Sequence, residues 1–145
     1  MNRVARTALI ENLALKSPLT FDEFSNRFCK ILDLPGLHFD CENETEWGLI
    51  EVDNIEFNIS KPYEEGTLQN WDKTVPIGCN FGISLTLYRE HPKANDHGWA
   101  VEHLVLPVAQ KLADGFNVPV YFHRTWSGPG KSVLRVQTFY PYSSP

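Results

Sequence analysis

Residues 48–59 read GLIEV-DN-IEFNI, from Gly48 to Ile59, and this stretch decides the fold. Two alternating arms flank Asp53-Asn54, a dipeptide that tolerates the positive φ angles of a two-residue hairpin turn. In that register Val52 faces Ile55 and Ile50 faces Phe57. Ile59 joins them, so one side of the hairpin is apolar and needs a core to cover it. The other side sets Glu51 opposite Glu56, and like charges directly opposed weaken strand pairing. Two readings account for the pair: glutamates that splay into solvent, or an acidic surface kept for a cationic partner.

Strand character continues on both sides of the hairpin. Leu37 to Cys41 reads as a preceding strand. Asn80 to Tyr88 alternates cleanly, with Phe81, Ile83, Leu85 and Leu87 on one face and Gly82, Ser84 and Thr86 on the other. Val118 to Arg124 and Val133 to Tyr140 read as two more strands, joined by a loop from Thr125 to Ser132. Between the hairpin and the strand at 80–88 lies a long aperiodic connection, residues 62–79, with Tyr63 and Trp71 in it. Long connections in small domains are often functional. A single large aromatic such as Trp71 is expected to pack inward.

Helical patterning appears in three places. Residues 4–15 are expected to form a short helix, stopped by Ser17-Pro18. Thr20-Phe-Asp-Glu23 has the form of a capping box, and Phe21, Phe24, Phe28, Ile31 and Leu32 then fall on one helical stripe that ends at Pro35-Gly36. After the polar loop His91 to Gly98, Asp96 is the expected N-cap of a further helix. Its stripe is Val101, Leu104, Val105, Val108 and Leu112, with Gly115 as its stop. Pro107 inside that stripe lacks an N–H and is expected to kink the helix or split it. These elements predict a single α+β domain over residues 1–145, a mostly antiparallel sheet of five to six strands with helices packed on one face.

A chain of 145 residues with 42% hydrophobic and 12% aromatic residues has the composition of a domain with a real core. The formal charge of −5 argues against nucleic acid, since phosphate binding needs a basic face and the 13 Lys and Arg residues are scattered. A cationic protein partner fits that charge. The opening MNRVARTALIENLALKS does not read as a secretion signal, because Glu11 and Asn12 interrupt its apolar run. No stretch reaches the length of a membrane span. Cys29, Cys41 and Cys79, odd in number and widely spaced, read as reduced thiols of a cytoplasmic protein, with no metal site and no cofactor expected.

Thr125-Trp-Ser-Gly-Pro-Gly-Lys-Ser132 resembles a phosphate-binding loop without its first glycine. Such a loop must open a helix whose N–H groups face the phosphates. Here Val133 to Phe139 alternates as a strand and Pro129 removes a donor, so a hairpin is expected instead. The histidines His38, His91, His97, His103 and His123 include no pair four residues apart on a helix, the spacing of a zinc face. His38 with Asp40, joined by His123, is the one base-and-carboxylate combination that would suit a small enzyme, and no nucleophile motif accompanies it. No catalytic residue is therefore assigned. The acidic residues Asp40, Glu42, Glu44 and Glu46 alternate, and with Glu51 and Glu56 they can concentrate negative charge in one region. They form either a solubilising face or, with Tyr63 and Trp71 as anchors, a binding face.

The segment from Phe57 to Gly82, FNISKPYEEGTLQNWDKTVPIGCNFG, resembles small bacterial proteins of polymorphic-toxin neighbourhoods. Within that group it is similar to immunity proteins of contact-dependent growth inhibition systems. The resemblance implies a cytoplasmic protein that binds one cognate toxin domain and blocks it, with no catalytic residues to carry over. The alternatives are the small enzyme just described and a structural or adaptor subunit of a bacterial or phage assembly.

Overall fold

The computed structural model of the protein describes residues 7–42, 45–128 and 131–142. Its strands are β1 (Thr7–Leu15), β2 (His38–Glu42), β3 (Thr45–Val52), β4 (Ile55–Pro62), β5 (Phe81–Tyr88), β6 (Val120–Gly128) and β7 (Lys131–Phe139). They form one antiparallel sheet in the order β2-β3-β4-β5-β1-β6-β7. The helices are α1 (Phe21–Leu32), α2 (Thr67–Trp71), α3 (His97–Trp99) and α4 (Leu106–Phe116), with a π segment, Ala100–Val105, between the last two. The α+β class and the antiparallel sheet are those expected.

The β3–β4 hairpin has the expected register, Val52 with Ile55, Glu51 with Glu56 and Ile50 with Phe57. Asp53 and Asn54 take φ values of 53° and 64°, as a turn with positive φ at both central residues requires. Glu56 is not simply splayed into water: its Oε1 accepts a 2.9 Å hydrogen bond from the Tyr88 hydroxyl.

The helix expected over residues 4–15 is instead β1, and it adds a strand to the sheet. Its place explains the misleading pattern. β1 lies between β5 and β6, and at its C-terminal end both faces are covered, so Leu13, Ala14 and Leu15 are all fully buried while Ile10 is 54% exposed. A strand end covered on both faces, as at Leu13-Ala14-Leu15, carries apolar residues without alternation, and so lacks the period of two that marks a half-buried strand.

One face of the sheet carries the main core. Leu13, Leu15, Ile59, Phe81, Ile83, Leu85 and Val120 meet the stripes of α1 and α4. Phe24 of α1 stacks between Phe81 and Phe116, with centroid distances of 3.9 and 4.3 Å. Burying each such ring contributes about 1.5–3 kcal/mol. The Thr20–Glu23 capping box forms, with both reciprocal hydrogen bonds present, at 3.2 and 3.0 Å. Asp96 caps α3 by accepting from the Trp99 N–H at 2.9 Å. Glu11 of β1, 6% exposed, meets His97 Nε2 at 2.9 Å and ties α3 to the sheet.

Pro107, expected to kink the helix or split it, does not interrupt it: residues 97–116 stay helical. The turn before it widens, and the Leu106 N–H reaches back to the carbonyl of Val101. Gly115 is not the stop. The helix continues through Phe116 and is closed by Asn117 at φ 56°. The glycine serves the helix crossing instead, because a Cβ there would overlap the Ile31 side chain of α1. The expected 125–132 loop is mostly strand, since β6 runs to Gly128 and β7 starts at Lys131. Pro129 and Gly130 lie outside the described residues.

Candidate interaction surface

Among the described residues, the second face of the sheet has no long helix on it. At the centre it carries Asn58, Ser84, Asn12 and His123 at one register level across four strands. Ser84 Oγ donates to Asn12 Oδ1 at 3.0 Å. The 62–79 connection, including α2, folds over one end of this face. Leu68, Val75 and Cys79 cover Ala14 there, with Tyr121 packed alongside. Gly82 makes room for Leu68, whose Cδ2 lies 3.4 Å from where a Cβ would stand.

Polar contacts pin the connection in place. Gln69 Nε2 donates to the carbonyls of Pro76 and Cys79, at 2.8 and 3.1 Å. The backbone N–H and hydroxyl of Thr74 both donate to Asp72 Oδ1, at 2.9 and 2.6 Å. Thr74 Oγ1 lies 2.7 Å from His123 Nδ1. A hydroxyl has one proton to give, and ionised Asp72 is the stronger acceptor, so the imidazole Nδ1–H donates to Thr74.

His123 is 2% exposed. Burial pushes its pKa below the ordinary imidazole value, against the opposing pull of Asp72 and of a hydrogen bond to the Leu13 backbone. For Asp72, burial works upward, but the two Thr74 hydrogen bonds and His123 outweigh it and leave the carboxyl below its ordinary value. An Asp–Thr–His relay can orient an imidazole for base catalysis. Here the imidazole and the Thr74 hydroxyl are buried while Asp72 reaches solvent, and the contact fastens residues 72–74 to β6.

The same connection exposes large side chains. Tyr63, Trp71 and Ile77 are 54%, 56% and 98% exposed. The expectation that Trp71 packs inward is thus overturned. Leu68 takes the inward position of the short α2, and Trp71, at its last residue, is carried outward. Beside the start of the connection is an open pocket of about 720 Å³, lined by apolar Leu68, Val118, Pro119 and Tyr121 and also by charged Lys16, Lys61, Glu64 and Glu65. Cys79 at its edge is a poor nucleophile, its thiol pushed up to about 11 by burial.

The acidic residues singled out in the sequence share three neighbouring strands but not one face. Asp40 and Glu42 lie on β2 opposite Trp47 and Thr45, and only their backbone is described. Glu44 lies outside the described residues. Glu46 stands directly opposite Lys61, on the side of the sheet shared with Ile50, whereas Glu51 and Glu56 occupy the other side. Sequence reasoning passed over Glu64 and Glu65, which are exposed beside Tyr63. The signal was their adjacency to that aromatic in Tyr63-Glu-Glu-Gly66.

His38, Asp40 and His123 do not converge. β2 and β6 are five inter-strand steps apart in the sheet order. At about 4.8 Å per step this is about 24 Å, too far for one catalytic site. Among the described residues no group of three His, Cys, Asp or Glu side chains is arranged to hold a metal ion. No helix of those residues is long and apolar enough to cross a membrane. No protein-family model, curated protein or solved structure matches the chain.

Proposed function

We propose that the protein works by covering another protein, as an immunity protein that binds and neutralises a cognate bacterial toxin domain in the cytoplasm. The observation that carries this reading is the set of outward-facing side chains Tyr63, Trp71 and Ile77 on a connection held still from beneath. Aromatic residues dominate binding hot spots. Holding them in place before binding reduces the entropy lost on association. Each fully covered side chain of this size contributes about 1.5–3 kcal/mol from apolar burial. The resemblance of residues 57–82 to contact-dependent growth inhibition immunity proteins falls on this same connection.

The charge of −5 suits a cationic toxin domain, with Asp40, Glu42, Glu51 and Glu56 on β2–β4 adding to the field that draws it in. Free Cys29 and Cys79 accord with a reducing compartment.

The test begins with the neighbouring reading frames. The C-terminal domain of an adjacent secreted protein is co-expressed with this chain and captured through it. A one-to-one complex is expected, weakened at least a hundredfold by the triple change Tyr63→Ser, Trp71→Ser and Ile77→Ser. Capture that ignores the triple change refutes this surface. Assembly of the chain alone into a closed ring, with no toxin captured, refutes the inhibitor reading in favour of a structural subunit.

A further inference from the structure

Ile77 is the most exposed large apolar side chain of the described residues, at 98%. It stands on a four-residue turn, Pro76 to Cys79, closed by the Cys79 N–H donating to the Pro76 carbonyl at 3.3 Å. Gly78 supplies the positive φ, 95°, that a turn of this kind needs at its third residue. Gln69 Nε2 braces the turn by donating to the carbonyls of Pro76 and Cys79, on either side of Ile77. An aliphatic side chain held out on a braced backbone loses little freedom when something covers it. Beside the turn is the open pocket of about 720 Å³, to whose lining Gly78 and Cys79 contribute and Ile77 does not. Leu68, Val118, Pro119 and Tyr121 make much of that lining apolar, and the volume has room for an isoleucine with the proline that precedes it. A projecting apolar residue and an apolar recess therefore share one patch.

The charges of the patch have the same double character. The pocket lining carries Lys16 and Lys61 with Glu64 and Glu65, two of each sign, so it is locally neutral in a chain of formal charge −5. Net charge at this place favours neither a cationic nor an anionic segment. A patch that presents both signs and both shapes is complementary to itself, as the isologous contact of a two-fold dimer requires. The geometry points to a second copy of this chain as the occupant of the pocket. In that dimer the Ile77 side chain of each copy enters the pocket of the other, against Leu68 and Tyr121. Lys16 and Lys61 of one copy meet Glu64 and Glu65 of the other across the axis. The pairing does not rest on the toxin reading, but it uses part of the same surface, Tyr63 and Ile77. It keeps that surface covered until another protein competes for it, and a one-to-one toxin complex forms by separating the dimer.

The experiment is sedimentation velocity on the full chain alone, from about 5 to 500 µM, the range that reads pairing through a small interface. A reversible monomer–dimer equilibrium is expected. Ile77→Lys, at an almost wholly exposed position, should weaken it by about tenfold or more. Glu64→Lys with Glu65→Lys, and separately Lys16→Glu with Lys61→Glu, should each weaken self-pairing by about tenfold, because like charges then oppose across the axis. An equimolar mixture of these two double variants should pair again, which a merely structural effect of the substitutions would not produce. Should either double variant fail to fold, as read by circular dichroism, Ile77→Lys decides alone. A chain that stays monomeric throughout, a dimer that ignores Ile77→Lys, or a mixture of folded double variants that does not pair overturns the proposal. Growth beyond the dimer also overturns it, since a contact that does not close on a two-fold axis builds rings or filaments. No toxin is present, so a monomeric result leaves the capture reading standing, and failure of capture leaves the dimer standing.

Discussion

Replacing Thr74 by valine keeps the shape of the side chain and removes the hydroxyl that links Asp72 to His123. Losing a hydrogen bond to a charged acceptor costs about 1.5–3 kcal/mol. Leaving the buried imidazole N–H without a partner adds about 1–3 kcal/mol. Two effects oppose these. The Asp72 side chain is 43% exposed and regains water, and the new buried methyl returns about 0.8 kcal/mol. The net expectation is about 2–3 kcal/mol of destabilisation, measured by urea unfolding at pH 8 with an unchanged m-value. Hydrogen exchange should place the largest loss of protection at residues 72–79. Acidification gives the second arm. The folded-state pKa of His123 lies below its unfolded value of about 6.5. Between the two the unfolded chain binds more protons, so this stabilisation is complete above about pH 6.5 and declines as pH falls toward the folded-state value. Asp72, also lowered, acts in the same sense further down: its contribution is present above about pH 3.9 and is lost on acidification below that. Lowering the pH from 8 to 5.5 should therefore destabilise the wild type, and His123→Phe should flatten the slope. A Thr74→Val protein within 0.5 kcal/mol of wild type, by about the scatter expected of a surface substitution, would refute the pin.

Gly115→Ala should destabilise by about 1–2 kcal/mol in urea unfolding, because overlap with Ile31 outweighs the helix propensity gained. In an Ile31→Ala background the same change should become neutral or stabilising, and stabilisation of the wild type by Gly115→Ala would show that the helices do not cross as described. Cys79 should resist alkylation in the native state at pH 7.5 and react on unfolding, as read by peptide mass mapping. Fast native labelling at that position would contradict its burial and raised pKa.

The hairpin was legible because each of its signals is local: alternation, a two-residue turn and a register that follows from both. The α1 stripe and its capping box were legible for the same reason. β1 was not, since Ala, Leu and Glu in residues 8–15 favour helices and only a neighbour on each side makes that run a strand. Gly115 resembled a helix stop because the same residue type serves caps and close crossings, and only the position of Ile31 distinguishes them. At the surface, the sequence left Tyr63 open between packing and recognition, and the direction of Trp71 depends on the register of a helix five residues long. The Asp72–Thr74–His123 contact joins residues 49 positions apart through a segment without periodicity. No short window of sequence contains it. The opposition of Glu46 to Lys61 needed only the hairpin register carried two residues beyond Ile59 on β4 and two before Gly48 on β3.

The position of β1 also bears on how the chain is made. β1 leaves the ribosome well before the strands it hydrogen-bonds with, β5 and β6, whose residues begin at 81 and 120. During synthesis its leucines have no native partner until most of the chain has emerged, whereas the β3–β4 hairpin can close as soon as residue 62 is out. Contacts between distant parts of a chain slow folding, and strands awaiting partners are prone to associate with each other. Expression should therefore be sensitive to conditions that prolong this wait, and variants in residues 9–15 should lose soluble yield out of proportion to their effect on the purified protein.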